Sequence, residues 1–160
     1  MSKWGDVDFD AVLKLQKNLE KAAAGIDDLC IRCTQKLAAQ LINTVIKRTP
    51  VKSGALRRGW MAGKSSMSSG KAATKTNMQV SKKGISYEII VFNSINYASY
   101  VEYGHRQEPG RYVPAIGKRL KNSWVKGQFM LKISEQELKA AAPRIINRLI
   151  KPYMEDIFKV

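Results

Sequence analysis

Apolar residues recur at three- and four-residue spacing over residues 9–46, which predicts helix there. Phe9, Val12, Leu13, Leu19 and Ala23 share one face. Leu29, Cys33, Leu37, Leu41 and Val45 form another stripe. Asp8 suits the capping position, and Asp10 places negative charge in the first turn. Gly25, followed by Asp27 and Asp28, leaves two readings open: one helix or two. Lys47 and Arg48 favour a helix C-terminus. Pro50 then pushes Thr49 towards extended geometry, so the helix ends there.

Gly54 permits a turn. Residues 56–62 are expected as a strand, with Arg58 and Trp60 on one face and Met61 on the other. Residues 62–76 almost lack large apolar groups. Such a stretch buries too little to offset its ordering entropy, so a mobile basic loop is expected. Thr76, Met78 and Val80 then alternate with polar residues, Lys82 to Gly84 suits a tight turn, and Ile85, Tyr87, Ile89 and Val91 alternate again. That is the pattern of a hairpin with one buried face. Ile90 and Phe92 make the second face apolar near its end, which calls for a cover.

A short helix is expected over residues 96–104, with Asn96 to cap it and Gly104 to close it. Residues 105–127 are polar, basic and punctuated by Pro109, Gly110, Pro114, Gly117 and Gly127, a long connection. Ser134 and Glu137 fit a capping box, with Ile133 and Leu138 as its staple. Leu138, Ala142, Ile145, Leu149 and Ile157 continue as an apolar stripe. Pro143 lies too deep for a first turn and either kinks this helix or divides it. The fold class is α+β. It comprises a long N-terminal amphipathic helix or pair, a small antiparallel sheet with a hairpin, a short helix, the basic connection and a C-terminal amphipathic helix. The whole of residues 1–160 reads as one domain.

Charge changes the picture. The net charge is +15, and it is uneven. Residues 1–33 hold five basic and six acidic side chains; residues 34–87 hold eleven basic and none acidic. An acid-free basic run predicts a positive surface suited to polyanions. No run approaches a membrane span, and the N-terminus has acids where a secretory signal has a basic head. A cytoplasmic chain that does not engage membranes is expected. Cys30 and Cys33 lie within a helical pattern, and His105 is the one histidine, so a zinc site lacks ligands and small buried thiols are expected.

Catalytic patterns are thin. Lys52 and Ser53 are adjacent and do not face each other as a nucleophile and base must. Gly63-Lys64-Ser65 imitates the end of a phosphate loop, but Arg58 stands where the first glycine is required. Glu102 sits among tyrosines and reads as an ion-pair partner of an arginine rather than an acid catalyst. No enzyme activity and no cofactor are expected. Trp60 reads as core. Backbone attraction to nucleic acid, through Lys64, Lys71 and Lys75, remains as an alternative: a monomeric basic domain with strong salt dependence.

Two stretches carry a resemblance. "TPVKSGALRRGW" (residues 49–60) resembles the signature TPV-(D/K)-(T/S)-G-x-L-(R/K)-x-(S/G)-W, and "NYASYVEYGH" (residues 96–105) resembles x-Y-A-x-Y-V-E-x-G-(T/H). Their order between an N-terminal helix and a C-terminal helix is similar to that in the tail-completion or neck proteins of long-tailed phages and prophages, the tenth-gene-product-like tail components. "SWVKGQFMLKISEQEL" is similar to the contractile-tail and phage-tail-like bacteriocin variant. Lys52 replaces a frequent aspartate of that signature.

The resemblance covers roughly residues 9–158 and implies a structural virion protein. Such a protein forms a ring, a hexamer, at the head-proximal neck or collar. There it completes the tail and performs head–tail joining. Its partners would be further copies of itself, tail tube, sheath or terminator proteins, and connector or portal-side proteins, with DNA passing through the lumen. Assembly would take place in the bacterial host cytoplasm. Within that frame Tyr97, Tyr100, Val101, Tyr103 and Trp124 are candidate interface residues, each tyrosine being open to a core role instead. Arg57, Arg58, Lys64, Lys71 and Lys75 are candidate lumen- or partner-facing bases. Pro50, Gly54, Trp60 and Gly104 are candidate structural residues.

Overall fold

The computed structural model describes residues 9–63 and 78–158. Lys64, Lys71, Lys75 and Thr76, and with them most of the expected basic loop, lie outside the described residues. The architecture is α+β. Helix α1 runs unbroken from Phe9 to Arg48. The two-helix alternative does not form, and Gly25 has another use. A Cβ there would stand 3.0 Å from the hydroxyl of Tyr153, which donates a hydrogen bond to the Ala22 carbonyl. The glycine is a seat for a neighbouring helix rather than a break.

That neighbour is α4, Met130–Ile157, which runs antiparallel along α1. Arg48 pairs with Glu137 at one end of the pair, and Asn18 Nδ2 donates to the Ile157 carbonyl at 3.2 Å at the other. Pro143 and Pro152 both lie inside α4, which nonetheless is one helix. Its start also differs from the capping-box reading. It begins at Met130, four residues earlier, and Ser134 is buried with its hydroxyl bonded to the Met130 carbonyl at 2.7 Å. Ile133 sits inside the first turns, so no staple forms there.

After α1 the chain makes one helical turn, α2, Ala55–Arg58, and then strand β1, Trp60–Gly63. The strand expected from residue 56 thus begins only at Trp60, because Gly54 at φ 77° turns the chain into a helical turn first. The next ribbon pairs β2, Ser81–Lys83, with β3, Ser86–Glu88, across a turn at Gly84 and Ile85. Ile85 is 96% exposed, so it does not belong to the buried face assigned to it. Lys82 and Tyr87 both bond the Asp27 carboxylate, which ties this ribbon to α1. Strand β4, Ile90–Asn93, leaves that ribbon and pairs antiparallel with β1, from Trp60 opposite Asn93 to Gly63 opposite Ile90.

The core sits where these pieces cover the C-terminal half of α1. One cluster joins Ala38, Ile42, Ala62 and Met78; the other joins Val45, Leu56, Trp60 and Met130. The short helix α3, Ala98–Tyr103, packs Ala98 and Val101 against the second cluster. Among the described residues no helix is long and apolar enough to cross a membrane.

Between α3 and α4 the long connection expected over residues 105–127 takes the form of a β arm. Strand β5, Gly104–Arg106, pairs with β8, Trp124–Lys126; further out, β6, Tyr112–Val113, pairs with β7, Lys118–Arg119. Backbone bonds continue the ladder between them, Gln107 N to Ser123 O at 2.8 Å and Leu120 N to Arg111 O at 2.9 Å. A 3-10 turn at Pro114–Ile116 closes the tip.

Candidate functional site

Thr49 organises the first signature. It is 1% exposed. Its hydroxyl donates to the Val45 carbonyl at 2.6 Å and accepts from Trp60 Nε1 at 2.9 Å. Its own carbonyl accepts from Arg57 Nε at 2.9 Å. The end of α1, α2 and the first residue of β1 are therefore locked through one residue, by its hydroxyl and its carbonyl. The buried indole N–H needs a partner, and Thr49 supplies it. Arg57, named above as a lumen- or partner-facing base, is turned into this corner. Arg58 is exposed and folds back over Gly54, where an added Cβ would meet its guanidinium at 2.7 Å. Pro50 is exposed and follows the helix end. Trp60 is core, as its composition suggests.

The residues just ahead of the second signature close on the first. Asn93 Nδ2 donates to the Leu56 carbonyl at 2.9 Å, and its Oδ1 accepts from Ile95 N at 3.0 Å. Val101 packs against the Trp60 cluster and is partly buried. Its position on the inward side of a short amphipathic turn explains this. Tyr97, Tyr100 and Tyr103 point the other way. All three are exposed, and Tyr100 meets the ring of His105 edge-on at 5.7 Å. Of the two roles open to them, the structure places them on the surface.

Glu102 has a use that local sequence did not reveal. It is 6% exposed, and among the described residues no arginine pairs with it. Its carboxylate accepts from Leu131 N at 3.0 Å and Lys132 N at 3.0 Å, in the first turn of α4. A carboxylate there satisfies donors that the helix itself leaves unpaired and meets the positive end of the helix dipole. The cap arrives from α3, some thirty residues back along the chain. Sequence reading sought a cap adjacent to the helix and found Ser134 instead. The signal that pointed to Glu102 was its place in the second signature, not its spacing from α4.

Gly104 ends α3 at φ 85°, a region that L side chains avoid. A Cβ there would lie 2.3 Å from the Val125 carbonyl. Gly127 approaches from the other strand, where a Cβ would lie 2.3 Å from the Glu102 carbonyl. The two glycines let the root of the β arm close backbone to backbone. Beyond that root the arm is polar and open. Trp124 and Tyr112 are exposed, and a concavity of about 1030 Å³ is lined by residues of the arm alone, among them His105, Leu120 and Trp124. Among the described residues the buried Nδ1 of His105 has no hydrogen-bond partner.

Cys30 and Cys33 are free, half-buried thiols on α1; burial, then the neighbouring Cys30, raises the Cys33 thiol. Among the described residues no cluster of three or more histidine, cysteine or carboxylate side chains could hold a metal ion.

The signatures thus build the junction of α1, α3 and α4, and what they leave on the surface is the row of tyrosines and the β arm. No curated protein and no solved structure matches the chain. A family model described as "Bacteriophage HK97-gp10, putative tail-component" matches residues 14–104, a stretch that holds the first signature and all but the last residue of the second. The chain belongs to this HK97-gp10-like family of phage tail components.

Proposed function

We propose that this chain is a non-enzymatic part of a phage tail or phage-tail-like particle, and that it forms a ring, a hexamer, at the head-proximal neck. There it completes the tail and joins it to the head connector. The observation that carries the reading is the family membership over residues 14–104. The exposed tyrosines of α3 supply surface of the kind found at the centres of protein interfaces, large and amphipathic. The net charge of +15 suits a ring through which a polyanion passes. Arg58 and the lysines of residues 64–75 are the bases assigned to that lumen.

The test is the composition and image of purified particles. Tails should contain this chain in a ring at the head-proximal end, and particles produced without it should lack joined heads. Tails that contain no copy of the chain, or a purified chain that turns over a substrate, would sink the reading. A monomer with DNA affinity that falls steeply with salt would favour the basic nucleic-acid-binding alternative.

A further inference from the structure

Each sheet of the β arm has two strands, β5 with β8 and β6 with β7, so among the described residues no third strand flanks either edge. An isolated two-stranded ribbon is marginal in water. Tyr112, Ile116 and Trp124 are each about half exposed, and all three line the arm's concavity together with Val113 and Leu120. The concavity extends to His105, whose ring meets that of Tyr100, and this contact joins the arm to the exposed face of α3.

The charge of the arm is not balanced from within. Residues 105–126 hold six basic side chains and one acid, Glu108, which pairs with Arg111 at 3.9 Å. Arg119 donates to the Gly110 carbonyl at 2.7 Å. Arg106, Lys118, Lys121 and Lys126 are exposed, and among the described residues no acid pairs with them. Directly opposed residues of an antiparallel ribbon share a face, so Arg106 stands beside Trp124.

A second copy does not supply the complement. Asp27, Asp28, Glu88, Glu108, Glu137 and Glu155 each pair with a base of their own chain. Glu102 is buried at the start of α4, and Asp10 and Asp156 have partners as well. Among the described residues Glu20 and Glu135 remain, and they lie towards opposite ends of the α1–α4 pair, one near the Asn18–Ile157 bond and the other near the Arg48–Glu137 pair. No described face of this chain gathers free acids. Duplex nucleic acid offers the charge, but its phosphates give Val113, Ile116 and Leu120 nothing to bury against. An acidic protein segment with apolar side chains offers both.

We propose that the concave face of the β arm docks an acid-rich segment, carrying apolar side chains, of a different protein of the tail. This rests on the tail-component reading and deepens it by stating the chemistry of one partner. The segment's apolar side chains fill the hollow lined by Tyr112, Leu120 and Trp124, with the two aromatics as anchors. Its acids meet Arg106 and the arm's lysines, which steer the encounter and set its register.

A photo-crosslinker in place of Trp124, in tails assembled with the otherwise unaltered chain, tests the contact. Adducts should join the arm to a different protein, at a peptide with more acids than bases. The same crosslinker at Ile116 gives an independent readout and should reach the same protein. Adducts to a second copy of this chain, to DNA, or to a peptide without that acidic excess would overturn the proposal, as would the lack of any adduct from both positions.

Charge reversal gives a second measurement. Lys118→Glu, Lys121→Glu and Lys126→Glu, made together, should lower incorporation into tails at least about tenfold while helical circular dichroism is kept. Arginine at the same three positions should preserve incorporation. Lys14→Glu, Lys17→Glu and Lys21→Glu change the net charge equally at exposed positions of α1 and should leave incorporation within about twofold. Full incorporation of the arm variant, or an equal loss in both, would overturn the docking site. Tails that lack the unaltered chain would fail the tail-component reading itself; tails that contain it, with the wrong adducts, would fail the docking site alone.

Discussion

The two halves of α1 carry similar residues and are treated differently by the fold. In the C-terminal half Ala38, Leu41, Ile42 and Val45 are buried, Val45 completely. In the N-terminal half Val12, Leu13, Leu19 and Ile26 are about half exposed. The helix is the same; the difference lies in what surrounds it. The C-terminal half is enclosed by α4 on one side and by β1, β4 and the Thr49–Trp60 corner on the other. Among the described residues the N-terminal half has α4 along it, with the β2–β3 ribbon reaching it only near Asp27. Helical periodicity reports that a face is apolar. It does not report whether that face is covered within its own chain.

Breaking the enclosed half should cost the most. Trp60→Ala removes the indole that fills the Val45, Leu56 and Met130 cluster and strips Thr49 of its donor. We expect a loss of about 3–5 kcal/mol, read as a fall in the thermal midpoint of roughly 10 °C. Glu102→Ala uncaps α4 and leaves its first N–H groups unpaired under α3. A loss of about 2 kcal/mol is expected in urea unfolding, with Glu102→Gln restoring part of it. Unchanged stability in Glu102→Ala would remove the tertiary cap from the account.

The open half should respond in the opposite manner. Leu19→Ser and Ile26→Ser should each change the stability of the monomer by less than about 0.5 kcal/mol, because both positions are already half in water. Urea unfolding of the two variants checks this. A large loss of monomer stability from either would erase the contrast between the halves.

The smallest effect is expected at Asp27, where the ribbon of β2 and β3 meets α1. Hydrogen bonds from Lys82 first and Tyr87 second hold the Asp27 carboxyl below its ordinary range. A lowered folded value contributes stability above the unfolded value of about 3.9 and loses it as pH falls through the folded one. The partners run the other way. Lys82 and Tyr87 are both raised, chiefly by their bonds to Asp27, and their contribution fades as pH rises through those raised values. Because all three groups are exposed, solvent screens the effect. Asp27→Asn should flatten the acid limb of a stability–pH curve slightly and leave neutral stability almost unchanged.

What could be read beforehand follows the same division. Long periodic elements were legible: α1, the body of α4, the hairpin around Gly84 and the helix at residues 98–103. The α+β class came from the order of the periodic elements, and the family from the two signatures. Elements whose boundaries depend on distant atoms were not legible. The start of α4 is set by a carboxylate on α3, so Ser134 misled. The continuity of α1 through Gly25 depends on Tyr153, which reaches it from another helix. Residues 105–127 carry no alternation strong enough to announce strands. Their ladder is held by backbone bonds and by the closure at Gly104 and Gly127. Of the residues named for interfaces, the tyrosines are exposed and Val101 is partly buried, a difference unread beforehand because a six-residue helix offers too few positions for periodicity to separate its faces.

The closed root at Gly104 and Gly127 has a consequence for how such a chain changes over time. Where a segment leaves and re-enters at one point, its length and chemistry are independent of the scaffold that carries it. Insertions, deletions or wholesale replacement between those glycines would leave the junction of α1, α3 and α4 untouched. One conserved chassis would then accept differently shaped attachments, each fitted to its own neighbour.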